Sequence, residues 1–498
     1  MAKKLNIFTL LLLVVLPLLG CEQAPGDSIR FGLASNPVTL DPRFATDAAS
    51  TRVNRLLYAR LVDFDEKFQP VMALASWQRI APDHYRFKLR QDRARFHSGQ
   101  KLTSHDVVAT YASILDKATA SPHRASINII ERMEIPDEEH IDFYLNKSDP
   151  LFPGRLVVGI LPRKLLAKGH QFSQQPVGSG PFKFIAWPQA EHLQLQRIKD
   201  QQAFEFLRVR KPDVRVLKLL RGEIDLMQGD MPPELLTWLG NRQDINIIRR
   251  DGTTFAYIGF NLEDPKMRDL KVRQAIAHAI DRDTIIQYVW ADSARPAAGL
   301  LTPDHWAGDQ QLLGVPYDLE KARALLAQAG YSPSNPLHIV YKTSTNSVRL
   351  RIATIIQSQL AKVGVQVEIR SYDWGTFYAD IKAGNFQMYS LAWVGIKSPD
   401  IFRYVYHSSS IPPQGANRGR FRNQDADLLI ETAEAQNTLI NQAYYYRQLQ
   451  KLVMKELPYI SLWYEDQVSV TRKNLQGYTL SRDGNYDGLR NVVRQGSL

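Results

Sequence analysis

The residue types that most often carry catalysis are present, but they are not spaced as a catalytic motif. His97 and His105 lie eight positions apart with no third ligand at a standard zinc spacing, so they do not indicate a metal site. Gly178-Ser179-Gly180 does not match the Gly-x-Ser-x-Gly nucleophile turn, and no Gly-Lys-Ser/Thr follows it to bind phosphate. We therefore predict no enzyme, no metal and no cofactor. A Ser–His–Asp set assembled in space remains compatible with the sequence.

Arginines form the second group of candidate residues. Arg418, Arg420 and Arg422 alternate, and they would share one face if the segment is extended. Such a face could hold an acidic ligand group, because arginine donates two parallel hydrogen bonds to a carboxylate. It is equally typical of a solvated basic edge that avoids strand pairing. The net charge of +11 is spread over 498 residues and does not indicate a nucleic-acid partner.

The only cysteine has a position that suggests covalent chemistry of another kind. Lys3 and Lys4 precede an apolar run from Ile7 to Gly20, which is shorter than the about 20 residues that crossing a bilayer needs. This order is typical of a secretory signal. Leu18-Leu19-Gly20-Cys21 resembles the bacterial lipoprotein box, in which the cysteine is lipidated. We expect residues 1–20 to be a signal peptide and residues 21–27 a lipidated stalk.

The elements that must position a site are clearest in the last third of the chain. A strand over 337–342, a polar loop, a helix with apolar residues from Leu350 to Val363 and a strand from Val365 predict a right-handed parallel βαβ unit. The apolar run 386–394 predicts a further buried strand. Ligands of such sheets bind beyond the carboxyl ends of the strands, which selects Thr345, Asn346 and the segment Trp393–Gly395.

Six sequence stretches, in this order and spacing, resemble the bacterial extracellular solute-binding proteins of family 5, which serve ABC importers. They are Val38–Pro42, Phe96–Val107, Pro176–Phe182, Val272–Asp281, Tyr317–Leu326 and Leu457–Trp463. The resemblance covers about residues 29–480. It implies an α/β, two-lobe periplasmic-binding-protein fold (type II, cluster C), with an extra domain inserted in lobe 1. The implied bounds are 28–58, 177–256 and 468–498 for lobe 1, 59–176 for the inserted domain and 257–467 for lobe 2.

The resemblance also implies where a ligand would lie. Peptide-binding members hold the peptide main chain from both lobes, here through Thr46, Asp47 and Ala48 on one side and through Trp393, Val394 and Gly395 on the other. These members usually read Trp-x-Ala-Asp, with the Asp pairing with the free amino terminus of the peptide. This chain has Ile396 in place of that Asp. Peptides with a free amine should bind poorly unless Asp400 or Asp47 substitutes.

The predicted function is that of a lipid-anchored receptor. It would capture a peptide or peptide-like solute as a monomer and deliver it to an ABC permease and its ATPase subunits, on the periplasmic side of a bacterial membrane or on the cell surface of a Gram-positive bacterium. Three alternatives stay open. They are a cell-envelope hydrolase on the same anchor, a receptor of the same fold for an acidic or metal-chelate ligand, and a chaperone or sensor.

Overall fold

The protein is described by a computed structural model covering residues 28–90, 92, 95–189, 191–229, 231–291 and 293–495. The predicted signal peptide and the lipidation site Cys21 lie outside the described residues. The strands in chain order are β1 (Ile29–Leu33), β2 (Val62–Phe64), β3 (Pro70–Met72), β4 (Ala75–Ala81), β5 (His84–Leu89), β6 (Ile130–Glu134), β7 (His140–Leu145), β8 (Phe182–Gln189), β9 (His192–Arg197), β10 (Ala203–Arg208), β11 (Leu226–Gln228), β12 (Ile245–Phe260), β13 (Ala294–Pro296), β14 (Leu337–Ser344), β15 (Val365–Tyr372), β16 (Met388–Trp393), β17 (Tyr459–Arg472), β18 (Leu475–Gln476) and β19 (Val493–Arg494).

The α-helices pack on both faces of these strands. In chain order they are α1 (Ala48–Leu57), α2 (Ser104–Leu115), α3 (Arg124–Ile127), α4 (Phe152–Arg155), α5 (Arg163–Ala167), α6 (Pro212–Leu220), α7 (Pro233–Gly240), α8 (Leu270–Ala279), α9 (Arg282–Trp290), α10 (Leu319–Gln328), α11 (Ser347–Ala361), α12 (Trp374–Ala383), α13 (Ile401–Tyr406), α14 (Gln424–Ala435) and α15 (Leu439–Glu456). Within the described ranges, none of the helices combines the length and apolar character that crossing a membrane would need.

One large sheet of eleven strands runs through the molecule. Its order is β15-β14-β16-β12-β17-β11-β1-β10-β9-β8, with β13 pairing with β17. We call β1 and β8–β11 the first half of this sheet and β14–β16 the second half. The long antiparallel strands β12 and β17 join the two halves. The chain thus crosses between halves twice, and two crossings permit a hinge motion that closes on a ligand.

The register of β12 against β17 shifts between Arg250 and Thr254, and Gly252 makes this possible. A Cβ atom at this position would lie 2.1 Å from the carbonyl oxygen of Glu465. Only glycine permits the two hinge strands to approach so closely.

The predicted βαβ unit is confirmed. β14 and β15 are parallel with Leu337 opposite Val365, and α11 connects them. Asn346 caps α11 by accepting a hydrogen bond of 3.1 Å from the backbone N–H of Arg349. The strand continues to Ser344, two residues further than the sequence indicated, because β15 extends beside it as far as Tyr372. The cap places Asn346 at the carboxyl end of the sheet.

A separate antiparallel sheet of order β4-β5-β7-β6 lies outside the large one. Thr103 and Asp106 form a reciprocal capping box that starts α2. The helix buries Val107, Tyr111 and Ile114 in an apolar core built from residues 61–160. This core belongs to the segment that the family resemblance implies to be an inserted domain, whose bounds stay a prediction.

Candidate ligand-binding cleft

A cavity of about 520 Å³ lies where the two halves of the sheet meet the hinge strands. Its volume falls within the range of roughly 300–1,000 Å³ that is usual for small-molecule sites. The lining residues that the following argument uses are Ala48, Ala49, Arg52 and Tyr486 from the first half, Trp290, Ser293, Asn346, Arg349, Ala392 and Val394 from the second, and Glu465, Asp466 and Gln467 from β17. We call this space the cleft cavity.

The first turn of α1 forms one wall of the cleft cavity. Asp47 caps the helix, with one carboxylate oxygen accepting a 2.8 Å hydrogen bond from the Ser50 N–H. Ala48 and Ala49 follow the cap and face the cavity. Of the three residues predicted here, Ala48 lines the cavity. Thr46 and Asp47 lie beside it and are not among the lining residues.

The end of β16 forms the facing wall. Side chains alternate along a strand, so Ala392 and Val394 face the cleft cavity while Trp393 points to the other face. Val394 is 54% exposed. Gly395 continues the chain with φ +66°, a backbone conformation that favours glycine. The structure therefore brings Val394 and Ala48 to the same cavity, whereas the Trp393 ring lies behind the strand.

The Trp393 ring packs under the guanidinium of Arg418, which lies 4.5 Å from the ring centroid. Arg418 is buried and donates hydrogen bonds of 3.1 Å to the hydroxyls of Tyr257 and Tyr378. No carboxylate pairs with it among the described side chains. Burial opposes the charge, but the surrounding tyrosines outweigh it and raise the pKa of Arg418.

The segment that carries Arg418 is not a strand, so the alternating arginines do not share one face. Arg420 has φ +56°, and it pairs with Glu263 at 3.4 Å. Arg422 reaches the same carboxylate at 3.7 Å. Arg418 is not among the residues that line the cleft cavity.

The two candidate substitutes for the missing family Asp have other partners. Asp400 lies 3.5 Å from Arg155, and burial raises the pKa of its carboxyl. Asp47 caps α1. Ile396 is buried among apolar side chains, and Lys397 pairs with Asp483 instead of facing the cleft cavity. Among the described residues, none of these positions offers an unpartnered carboxylate to an ammonium group.

Of the two residues predicted in the loop after β14, one lines the cleft cavity and the other does not. Asn346 lines the cleft cavity, whereas Thr345 is exposed beside it and donates its backbone N–H to the Tyr372 carbonyl at 2.9 Å.

Several residues with polar groups that no motif indicated also line the cleft cavity, and four of them matter most for the argument below. They are Arg52, Trp290, Ser293 and Glu465. Glu465 pairs with Arg349 at 2.6 Å. The Trp290 Nε1 and Ser293 Oγ atoms are buried and have no hydrogen-bond partner among the described residues. One sequence signal could have located the site: Glu465-Asp466-Gln467 places three consecutive strongly polar residues in the middle of the largely buried strand β17.

Beside the cleft cavity, charged side chains from both halves pair with each other. We call Lys397, Asp483, Arg482 and Asp304 the charged junction. Arg482 Nη1 lies 2.6 Å from Asp304, and Lys397 pairs with Asp483. Burial would raise the pKa of Asp483, but Lys397 and Arg55 hold it well below its ordinary range. Burial acts likewise on Asp304, where the hydrogen bond from Arg482 lowers the pKa to about 2.

One Ser–His–Glu set does occur, and it caps a turn. Ser409 Oγ lies 2.7 Å from His407 Nδ1, and His407 Nε2 lies 3.2 Å from Glu431. The same Nδ1 also accepts a hydrogen bond of 3.1 Å from the Ser409 backbone N–H. This nitrogen is therefore engaged in capping the turn. None of the three residues lines the cleft cavity. In the part of the chain that the structure describes, no group of three or more His, Cys, Asp or Glu side chains could hold a metal ion.

Residues 67–413 match the family model "Bacterial extracellular solute-binding proteins, family 5 Middle". The chain is 26% identical to the oligopeptide-binding protein AppA of Bacillus subtilis (strain 168), with 92% of this chain and 90% of that protein covered. Two solved structures are similar over 94% of this chain. They are DppA from Helicobacter pylori in complex with the peptide STSA (26% identity, TM-score 0.81, 98% of that chain) and NikZ from Campylobacter jejuni in complex with Ni(L-His) (24%, 0.83, 100%). The predicted α/β two-lobe fold is confirmed, and the chain belongs to family 5 of the bacterial extracellular solute-binding proteins.

Proposed function

We propose that this protein captures a peptide or peptide-like solute in the cleft cavity and delivers it to an ABC permease with its ATPase subunits. The observation that carries the proposal is the cavity itself, which is lined from both halves and from the hinge strands. A ligand there would touch both halves and would favour the closed arrangement, since it binds that state better than the open one. Relatives whose names record oligopeptide or di/tripeptide binding support a peptide as the ligand.

The proposed location is the outer face of a bacterial membrane, with Cys21 as the lipid anchor and the protein as a monomer. Family members are extracellular or periplasmic, which agrees with export by the leader. Replacing Cys21 by Ala should release the protein from the membrane fraction and abolish incorporation of labelled fatty acid. A Cys21→Ala protein that stays in the membrane and keeps the label would contradict the anchor.

A metal chelate is the second ligand class to consider, because NikZ was solved with Ni(L-His). Here such a chelate would have to bring its own metal ligands, since the described residues offer no cluster that could supply them. A hydrolase has no support from the Ser409–His407 pair, which caps a turn. We therefore favour a peptide-like ligand and transport.

Capture is tested by native mass spectrometry of the purified protein and by thermal shift with a peptide library. A ligand at 100 times its Kd should stabilise the folded state by about 2.7 kcal/mol. Ala48→Trp places a large side chain in the cavity from an exposed helix position, so it should fold normally and abolish the shift. Ala112→Trp, at an exposed position of α2 outside the cavity, is the matched control. No adduct and no shift in the unaltered protein would refute peptide capture.

A further inference from the structure

Among the described residues, the charged side chains that line the cleft cavity are not balanced. Arg349 is neutralised by Glu465, at 2.6 Å. Asp466 is neutralised by Arg295, whose Nε lies 3.1 Å from it. Arg52 lines the same cavity and has no ion-pair or hydrogen-bond partner among the described side chains. Among the described side chains of the cavity wall, Arg52 is therefore the unpaired cation that is not fully exposed, whereas Arg210 and Lys211 are exposed at the edge.

Arg52 is also held in position. Its guanidinium lies 5.5 Å from the ring centroid of Tyr486. Gly484, with φ +75°, leaves room for it, because a Cβ there would lie 2.5 Å from the nearer Arg52 nitrogen. Arg210 and Lys211, exposed at the edge of the cavity, add positive charge. A fixed guanidinium with free donors is the group best suited to a carboxylate, which it can bind through two parallel hydrogen bonds.

Two further donors point to a ligand with oxygen acceptors. Ser293 is only 4% exposed, lines the cavity and has no hydrogen-bond partner for its hydroxyl among the described residues. The Trp290 indole N–H is buried in the same wall and likewise has no partner in the described part of the chain. Buried polar groups are nearly always hydrogen-bonded, so these two donors, which line the cavity, are candidate contacts for a bound molecule.

The amino terminus of a peptide has fewer candidate partners in the cleft cavity than its carboxylate. The family position for the ammonium-binding Asp is Ile396, and Asp400 is paired with Arg155. Glu465 and Asp466 are each engaged by an arginine.

We propose that Arg52 receives a carboxylate of the ligand, so that this protein selects anionic peptide-like solutes and does not require a free amino terminus. The proposal rests on the proposed function. The carboxylate can come from the carboxyl terminus or from an acidic side chain, and the same experiment separates these sources.

Four pools of random-sequence tripeptides test it at pH 7 with the full chain. The first three pools lack Asp and Glu and have free ends, an acetylated amine with a free carboxylate, or both ends blocked. The fourth has both ends blocked and one Glu. We expect the acetylated carboxylate pool to bind as well as the free pool, and the fully blocked pool to bind about 10- to 100-fold more weakly. Binding of the fourth pool would assign the carboxylate to a side chain, and its failure would assign it to the terminus.

Arg52→Gln should remove the preference for carboxylates and leave the weak binding of the blocked pool unchanged. Arg52→Lys should restore part of it, and Arg221→Gln, at an exposed arginine outside the cavity, is the control. Equal binding of the fully blocked pool and of both carboxylate-bearing pools (the second and the fourth), or unchanged preference in Arg52→Gln, would overturn the proposal while leaving peptide capture intact. Loss of binding on acetylation would also overturn it, and would direct attention to Asp230 and Asp292, which neighbour the cavity in sequence and lie outside the described residues. Failure of all four pools would refute peptide capture itself.

Discussion

The cleft cavity and the charged junction lie next to each other, but they differ in whether their charged side chains are paired. At the junction, Lys397 pairs with Asp483 and Arg482 with Asp304, each across the boundary between the halves. In the cavity, Arg52 contacts the Tyr486 ring and has no carboxylate partner among the described residues. Charges that pair across the boundary favour closure without a ligand. An unpaired charge favours closure only when a ligand supplies its partner. Under the proposed function, the junction pairs contribute to closure with or without the solute, and the Arg52 position contributes only when the solute is bound.

The largest effect should come from breaking the junction at Asp483, whose side chain is only 10% exposed. Asp483→Asn leaves Lys397 without a carboxylate in a buried site, and it removes one of the acids near Arg55. Loss of one partner of a buried pair costs about 3–5 kcal/mol, which urea denaturation should reveal as a lower free energy of unfolding. The control is Asp244→Asn, which breaks an exposed pair with Arg242. Equal losses in both variants would mean that the junction contributes nothing special.

The second effect is a pH dependence at the buried His305, whose ring stacks on that of Phe68 with 5.5 Å between the centroids. Its Nδ1 accepts the Ala307 N–H, and its Nε2 contacts the Lys397 carbonyl. A second proton would break the first of these bonds, and burial lowers the pKa of His305 to about 4. Between pH 6.5 and about pH 4, His305 is protonated in the unfolded chain but stays neutral in the folded protein. The contribution to stability is therefore complete above pH 6.5 and is lost progressively towards pH 4.

This loss should amount to about 1.4 kcal/mol per pH unit inside that window. The free energy of unfolding of the unaltered protein and of His305→Gln should be compared at pH 7.5, 5.5 and 4.5. The variant keeps the acid sensitivity of the carboxylates and loses that of the histidine, so the difference between the two curves isolates it. Parallel curves would contradict the assignment.

The same contrast explains what could be predicted from sequence. The βαβ unit, the Asn346 loop and the end of β16 are local, because their periodicity and turn residues lie within about 60 positions of each other. Arg52 and Tyr486 are separated by most of the chain, and only the folded sheet brings them together. Trp393, which the resemblance assigned to the ligand side, does not line the cleft cavity. A shift of one residue at the end of a strand decides which face a side chain occupies, and periodicity does not fix the strand end to one residue. Ser293 has no motif at all, and only its burial without a partner distinguishes it.

Ser293 permits a test in which stability and binding should separate. Ser293→Ala removes a buried hydroxyl that has no partner in the described part of the chain, so the free energy of unfolding should stay unchanged or rise by up to about 1 kcal/mol. Ligand affinity should fall about 2- to 10-fold, because the hydroxyl is expected to bond to the bound solute. Ser50→Ala is the matched control: its hydroxyl is buried and accepts the Val38 and Thr39 N–H groups, so it should lose stability. A Ser293→Ala protein that is destabilised like the control, with unchanged affinity, would make Ser293 a structural residue.

The smallest effect should come from the pair of Glu234 on α7 and Arg351 on α11, which spans the boundary between the halves at the surface. It forms across the same boundary as the junction, but both side chains are at least half exposed, so water and salt screen it. A double-mutant cycle of Glu234→Gln and Arg351→Gln should give a coupling in ligand-binding free energy below about 1 kcal/mol. That coupling should vanish in 0.5 M NaCl, whereas the destabilisation by Asp483→Asn should persist there. Glu320→Gln, which breaks an exposed pair with Arg323 within α10, should leave affinity unchanged. A coupling above 2 kcal/mol that survives salt would place the closing charges at the surface instead of at the buried junction.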